Sequence, residues 1–146
     1  MIDIRRTVTT ARPIPEVFAY LSDFATTQEW DPGTVRTTRE SGEGGVGTRY
    51  HNVSRFLGRT TELDYVVVEH EPPVRLVLRG ENQTVVARDT MTLDTAPGGG
   101  TRITYRAQFS FKGPSRLFAP LAAPAFRRLG DKAASGLRTA LGPDRP

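Results

Sequence analysis

An aspartate in the middle of an otherwise apolar row is the first residue of this sequence whose surroundings demand chemistry. Val85, Ala87, Asp89, Met91 and Leu93 recur at every second position, the spacing at which side chains of a β-strand share one face. A carboxylate on a buried face is costly unless it pairs with an arginine, accepts hydrogen bonds or keeps its proton through a raised pKa. In the last case it is a candidate general acid or base. Two plainer readings of Asp89 stand beside this one: a bulge that turns it outward, or a buried structural partner.

Other polar groups on inward-facing rows suit a ligand site. Tyr50 and Phe56 share a face with Asn52 and Ser54, although a one-residue slip would put His51, Val53 and Leu57 inside instead. Between 60 and 70, Leu63, Tyr65 and Val67 compete with Val66 and Val68 for the inner face. Ile103, Tyr105, Ala107, Phe109 and Phe111 alternate cleanly with Arg102, Thr104, Arg106, Gln108 and Ser110, so the first set must be buried. The expected ligand walls are Trp30, Tyr50, Phe56, Leu76, Leu78, Ala87, Phe109 and Phe126, with Asn52 and Asp89 orienting a polar group. Trp30, the only tryptophan, stands at a helix-to-strand junction near the open end of a curled sheet, where packing and gating are both open to it.

Several familiar motifs fail on context. Gly42, Gly44 and Gly47 have dinucleotide-binding spacing but join two strands rather than a strand to a helix; a flexible hairpin bordering the pocket mouth suits them better. His51 and His70, the only histidines, lack the ligand spacing of a zinc or iron site, so no metal or other cofactor is expected. Gly113–Arg116 is not a nucleophile elbow. The acceptor-like triplets at Asn52 and Asn82 are coincidental in a chain with no leader.

These residues need a frame. Ile2, Ile4 and Val8 alternate with polar neighbours, giving a strand over 2–10. Pro15 followed by Glu16 suits a helix start, and Val17, Phe18, Leu21 and Phe24 give that helix one apolar face. It breaks near Ser22–Asp23, and a second short turn ends at Trp30–Gly33. Strands follow at 34–40, 47–57, 60–70, 74–80, 83–94 and 101–111, joined by connections too short for crossovers and therefore antiparallel. Ser41–Gly47, Glu71–Pro73 and Pro97–Gly100 carry the turn chemistry. After Gly113–Pro114, Leu117, Leu121, Ala125, Leu129, Ala133 and Leu137 fall at helical intervals up to Leu141, with Pro120 and Pro124 disturbing the first half. Gly142–Pro143 ends the helix, and the remaining residues should fray.

Composition limits the function classes. At 146 residues the sequence suits one domain, 1–146, with one core. The absence of cysteine removes disulfides and thiolate chemistry. No leader precedes the first strand, and no apolar stretch approaches the roughly 20 residues that span a bilayer, so a cytoplasmic protein without stable membrane insertion is expected. The net charge of +4 rests on arginines scattered through the strands: Arg49, Arg55, Arg75, Arg79, Arg102 and Arg106. Alternation sends them to the solvent face, and no basic aromatic stripe accompanies them, which argues against nucleic acid as a partner. The basic residues of the last helix, Arg127, Arg128, Lys132 and Arg138, read as a solvated face more readily than a membrane-facing one. Oligomeric state has no signature.

The fold class is therefore α+β, and its proportions imply a hollow. Seven strands about 4.8 Å apart make a sheet near 30 Å wide, whereas a helix with its side chains is about 10 to 12 Å across. A twisted antiparallel sheet can curl around the terminal helix, and what remains between them is filled by large side chains or left as a pocket.

With the order of elements in place, the stretches Ala11–Phe24, Trp30–Gly33, Gly45–Thr48, Glu69–Pro73 and Gly99–Tyr105 resemble those of the polyketide cyclase/dehydrase and START-related superfamily, SRPBCC. The resemblance spans nearly the whole chain and rests on turn and packing signatures. It implies a helix-grip fold: a seven-stranded curved antiparallel sheet around a long C-terminal helix, with two short helices after strand one. It also implies a deep apolar pocket that different members use to bind lipids, hormones or polyketides, or to catalyse cyclisation and dehydration. No catalytic set carries over; Tyr50, Tyr65, Asp89 and Tyr105 are the possible counterparts of the family's pocket polar groups. The leading expectation is a carrier of a small hydrophobic or amphipathic ligand, lipid-like or polyketide-like. A cyclase or dehydratase using Asp89, Tyr105 and Tyr65 is the alternative, and a nucleic-acid or protein-interaction module ranks last.

Overall fold

Alternation in the sequence becomes a sheet in the computed structural model, which describes residues 1–142. The fraying expected of the final residues falls on 143–146, outside the described residues. Strand β1 (Ile2–Thr10) is followed by α1 (Ile14–Ser22), a 3₁₀ turn at Phe24–Thr26 and the one-turn α2 (Thr27–Trp30). Then come β2 (Thr34–Ser41), β3 (Arg49–Phe56), β4 (Arg59–Glu71), β5 (Arg75–Glu81), β6 (Val85–Thr95) and β7 (Thr101–Phe111). A 3₁₀ stretch, Gly113–Phe118, leads into α3 (Ala119–Leu141). Among the described residues the strands form one antiparallel sheet in the order β1-β7-β6-β5-β4-β3-β2. The chain returns to close β7 against β1, so the two ends of the sequence meet and α3 lies across β1.

The short helices owe their form to local chemistry. Pro15 sits in the first turn of α1, where its missing amide hydrogen costs nothing, and Glu16 faces the positive end of the dipole. Asp23 accepts from the Ala25 amide at 3.1 Å and starts the 3₁₀ turn that breaks α1 from α2. Asp31 closes the segment by accepting from the Gly33 amide at 3.1 Å and the Thr34 hydroxyl at 3.0 Å.

Both open registers are settled. Tyr50 and Asn52 are buried, with Ser54 and Phe56 on the same face, while Arg49 and Arg55 are exposed. In β4, Leu63, Tyr65 and Val67 face the core; a bulge between Val67 and Glu69 then swaps the phase, and His70 ends against the ring of Phe18. That phase change explains why one alternation could not be chosen for residues 60–70. The outer face carries the arginines, as alternation requires. Arg106 meets Asp3, Arg102 meets Asp94, Glu81 takes Arg79 and Lys112, and Glu69 takes Arg75 and Arg88. The Arg106 guanidinium bonded to Asp3 holds that carboxyl below its usual range.

The expected apolar stripe of the last helix needs one correction. Leu117 and Leu121 are each 80% exposed, and Phe118 stands out beside them. The chain at 113–118 is 3₁₀, whose three residues per turn put its side chains out of phase with the α-helix that follows. The buried stripe of α3 is Phe126, Gly130, Ala133, Ala134, Leu137 and Leu141. Pro120 occupies the first turn, where it is tolerated; Pro124 lies inside α3 and removes one i to i−4 hydrogen bond without ending the helix.

Packing is divided. A larger core gathers α1, α2 and the second half of α3 over the middle of the sheet, including Val8, Phe18, Leu21, Phe24, Met91 and Leu137. A smaller one centres on Ile2, Ile4 and Phe126. The space between them is not filled.

Candidate ligand cavity

A cavity of about 470 Å³ separates the two cores, lined by the inner faces of β3, β4, β6 and β7, by α2 and the loop after it, and by α3. That volume lies within the usual range for small-molecule pockets. Its exposed lining falls at one end, around the β3–β4 hairpin with Arg55, Leu57 and Arg59, and near Thr84 and Phe118. The glycine-rich hairpin of Gly42, Gly44 and Gly47, expected to border the mouth, contributes nothing to the lining.

Of the residues singled out in the sequence, Asp89, Tyr105, Tyr65, Trp30, Asn52, Phe56, Phe109 and Phe126 line this space together. Tyr50, Leu76, Leu78 and Ala87 do not; they are buried in the solid core. Their alternation is inward, but Phe24 lies over Tyr50, with ring centroids 5.6 Å apart, and the helices of the larger core occupy that part of the sheet. Trp30 is 2% exposed and therefore not at the open end; it meets Tyr105 edge-on at 5.8 Å, and its indole nitrogen donates to Thr26 Oγ1 at 3.3 Å. Sequence reasoning missed Asp31, Phe24, Thr27 and the glycines that make room. Asp31 was legible only as part of a stop signal.

Asp89 is 5% exposed, and among the described residues its carboxyl has neither a hydrogen-bond donor nor a cation. In register it lies between Leu78 of β5 and Ala107 of β7. Burial, with the Asp31 charge as a lesser contribution, raises its pKa from 3.8 to about 7. Burial likewise raises the Tyr65 and Tyr105 phenols well above 10, with the charge of Asp89 adding to it, so both stay protonated as donors. Tyr65 reaches its place because its cross-strand partner is Gly80, where a Cβ would lie 2.6 Å from the tyrosine ring.

The polar groups on β3 are already matched. Asn52 donates to Thr37 at 2.8 Å and accepts from Ser54 at 2.7 Å, while Thr37 and Thr27 share a hydrogen bond of 2.6 Å. This bank fixes α2 to β2 and β3. Phe126 stacks between Phe56 and Phe109, each with ring centroids 4.4 Å away, and forms an aromatic wall toward the mouth.

Outside the cavity the register assembles a cluster that sequence spacing concealed. His51 lies between Asp64, at 2.8 Å from Nδ1, and Glu62, at 2.7 Å from Nε2, with Glu40 nearby. The hydrogen bond His51 donates to Asp64, then the one it donates to Glu62, raises the His51 pKa above 6.5. Both ring nitrogens donating to carboxylates is the arrangement of an imidazolium. Its stabilisation is fully present below the unfolded pKa of about 6.5 and is lost as pH rises through the higher folded value. The acids are largely exposed, so it amounts to less than about 1 kcal/mol. His51→Gln should therefore flatten the pH dependence of stability above pH 6.5, read by urea denaturation alongside an NMR titration of the ring; an unshifted titration would remove the assignment.

A curved antiparallel sheet gripping a C-terminal helix around a cavity defines the helix-grip class of small-molecule-binding folds. The chain belongs to the family described as polyketide cyclase / dehydrase and lipid transport, whose pattern it matches over residues 1–142. Among solved structures it is similar to a START superfamily protein from Mycobacterium smegmatis, at a TM-score of 0.77 and 12% identity over 95% of this chain and 96% of that one. It is also similar to the Zhui aromatase/cyclase from Streptomyces sp. R1128, at 0.70 and 14% over 94% of each chain. A third similarity is to the di-domain aromatase/cyclase StfQ of the steffimycin biosynthetic pathway, at 0.73 and 18%; there the match covers 96% of this chain and half of that one. At such identities these likenesses establish the fold alone. No curated protein matches the chain by sequence. No helix among the described residues is long and apolar enough to cross a membrane.

Proposed function

We propose that this protein binds a small amphipathic molecule, lipid-like or polyketide-like, in the cavity between the sheet and α3. The observation that carries the reading is an aromatic-walled space of about 470 Å³ lined by the buried Asp89 and Tyr65 and the half-buried Tyr105, whose polar groups have no hydrogen-bond partner among the described residues. Apolar walls supply affinity in proportion to the area they cover, and a few unmatched polar groups fix orientation. Family membership and the matched START and aromatase/cyclase folds support the same reading. Native mass spectrometry of gently purified protein should find a retained apolar compound, and a fluorescent fatty-acid probe should be bound and displaced by it. Neither retention nor probe binding would overturn the proposal.

One observation favours a second reading, a cyclase or dehydratase. Asp89 would be about half ionised at neutral pH, between two phenols that remain donors. Asp89 would take an acidic proton next to a ketone while Tyr65 or Tyr105 donates to the enolate oxygen, chemistry in which each group contributes about 10²- to 10⁴-fold. Turnover of a poly-β-keto thioester should then fall by about that factor in Asp89→Asn and less in Tyr105→Phe. Turnover unchanged in both variants would remove these roles.

A further inference from the structure

We propose that the inner end of the cavity receives the protonated amine of an amphipathic ligand. This claim rests on the binding reading above and names the ligand's class. Its basis is a mismatch of charge. Among the described residues Asp89 faces the space with neither donor nor cation, and the Asp31 carboxyl lines the same space with only the Gly33 amide and the Thr34 hydroxyl bonded to it. The basic side chains of the lining, Arg55 and Arg59, lie at the far end. Asp89 shares its row with Leu78 and Val67, and Val67 is eight residues from Arg59 along β4, about 26 Å of extended strand. No lysine or arginine lines the inner end among the described residues.

A buried carboxylate with no counter-charge is completed by a cation that arrives with the ligand. The rings around it fit the same guest. Trp30, Tyr65 and Tyr105 line the wall beside Asp89, and aromatic faces attract ammonium groups most strongly where water is excluded. An ammonium donating to Asp89 would form a charge-assisted hydrogen bond, stronger than a neutral one. An anionic head in that position would face two carboxylates. Beyond the head, Phe56, Phe109 and Phe126 offer an apolar channel for the rest of the molecule, directed toward the mouth at Leu57.

Three twelve-carbon probes that differ only in the head separate the possibilities: dodecylamine, dodecanol and dodecanoate, kept below their aggregation limits at pH 7.5. Trp30 is the only tryptophan and lines the cavity, so its fluorescence reports each titration, with calorimetry as a second measurement. The amine should bind at least about tenfold more tightly than the alcohol, and dodecanoate most weakly. In Asp89→Asn the preference for amine over alcohol should shrink to about twofold or less. The wild-type ratio needs no variant, so the proposal is tested even if Asp89→Asn folds poorly. Equal affinity for amine and alcohol, tighter binding of dodecanoate, or a preference that survives Asp89→Asn would overturn the amine assignment and leave the binding reading standing. Failure of all three probes to bind, with no apolar compound retained by the purified protein, would overturn both.

Discussion

Gly136→Ala should destabilise this protein by about 3 kcal/mol or more, although the same change in most helix interiors stabilises by about 1 kcal/mol. Gly136 lies in the buried half of α3, and a Cβ built there overlaps the carbonyl oxygen of Trp30. The obstructing atom belongs to the backbone and cannot rotate away. To admit the methyl group, α2 would have to lift from α3, taking with it the indole that meets Tyr105 and the Thr27–Thr37 hydrogen bond beneath. Overpacking that moves backbone costs about 1 to 3 kcal/mol even in tolerant cores, and here the cavity wall moves as well. Gly130→Ala is the internal comparison. Its Cβ would lie 2.6 Å from Ile4 Cγ2, the end of a side chain that can adjust, so the loss should be under about 2 kcal/mol. Urea denaturation of the two variants measures the difference. A Gly136→Ala protein as stable as the wild type would show that α2 is not seated through that glycine.

Such a glycine shows where sequence reading stops. The frame was legible because alternation has a period of two and helical faces a period near 3.6, and both leave marks that survive without tertiary knowledge. β6 and β7 were therefore assigned to the correct face, and Asp89 stood out as an exception within its row. The hollow was legible for a different reason, the geometric mismatch between a wide sheet and one helix. What could not be read was which inward residues the helices cover. Tyr50, Leu76, Leu78 and Ala87 have the same inward alternation as Phe56 and Phe109, yet α1 and the turns after it close over the first group and leave the second along the cavity. Only the three-dimensional course of the short helices makes that choice. Gly80 and Gly136 carry no chemical signal at all; each matters through the atom its missing Cβ would strike. The His51 cluster depends on register across three strands, so spacing within the chain could not reveal it.

Asp89→Asn should make the protein more stable at pH 8 and bring little gain, or a loss, at pH 4. The folded pKa of Asp89 lies near 7 against an ordinary 3.8, because burial disfavours its charged form. Below about pH 4 the carboxyl is protonated in both states and causes no electrostatic penalty. As pH rises from there, the unfolded chain releases the proton first and stability falls, until the folded protein also ionises near pH 7 and the loss levels off. At 1.36 kcal/mol for each pH unit, the full loss is roughly 4 kcal/mol. An asparagine cannot ionise and escapes it, although its unpaired amide still costs about 1 to 3 kcal/mol to bury, so a net gain of about 1 to 3 kcal/mol is expected at pH 8. His51 weakens the fold in the same direction over a higher and smaller window, so both proteins are best compared in a His51→Gln background. Parallel stability curves between pH 4 and pH 8 would mean that Asp89 is not held in a dry, unpaired site. If the curves diverge as expected, the wild-type chain carries a stability loss that a single conservative substitution would remove. A buried group that weakens the fold in this way marks a candidate functional site, in keeping with the proposal that a ligand supplies the partner this carboxyl lacks among the described residues.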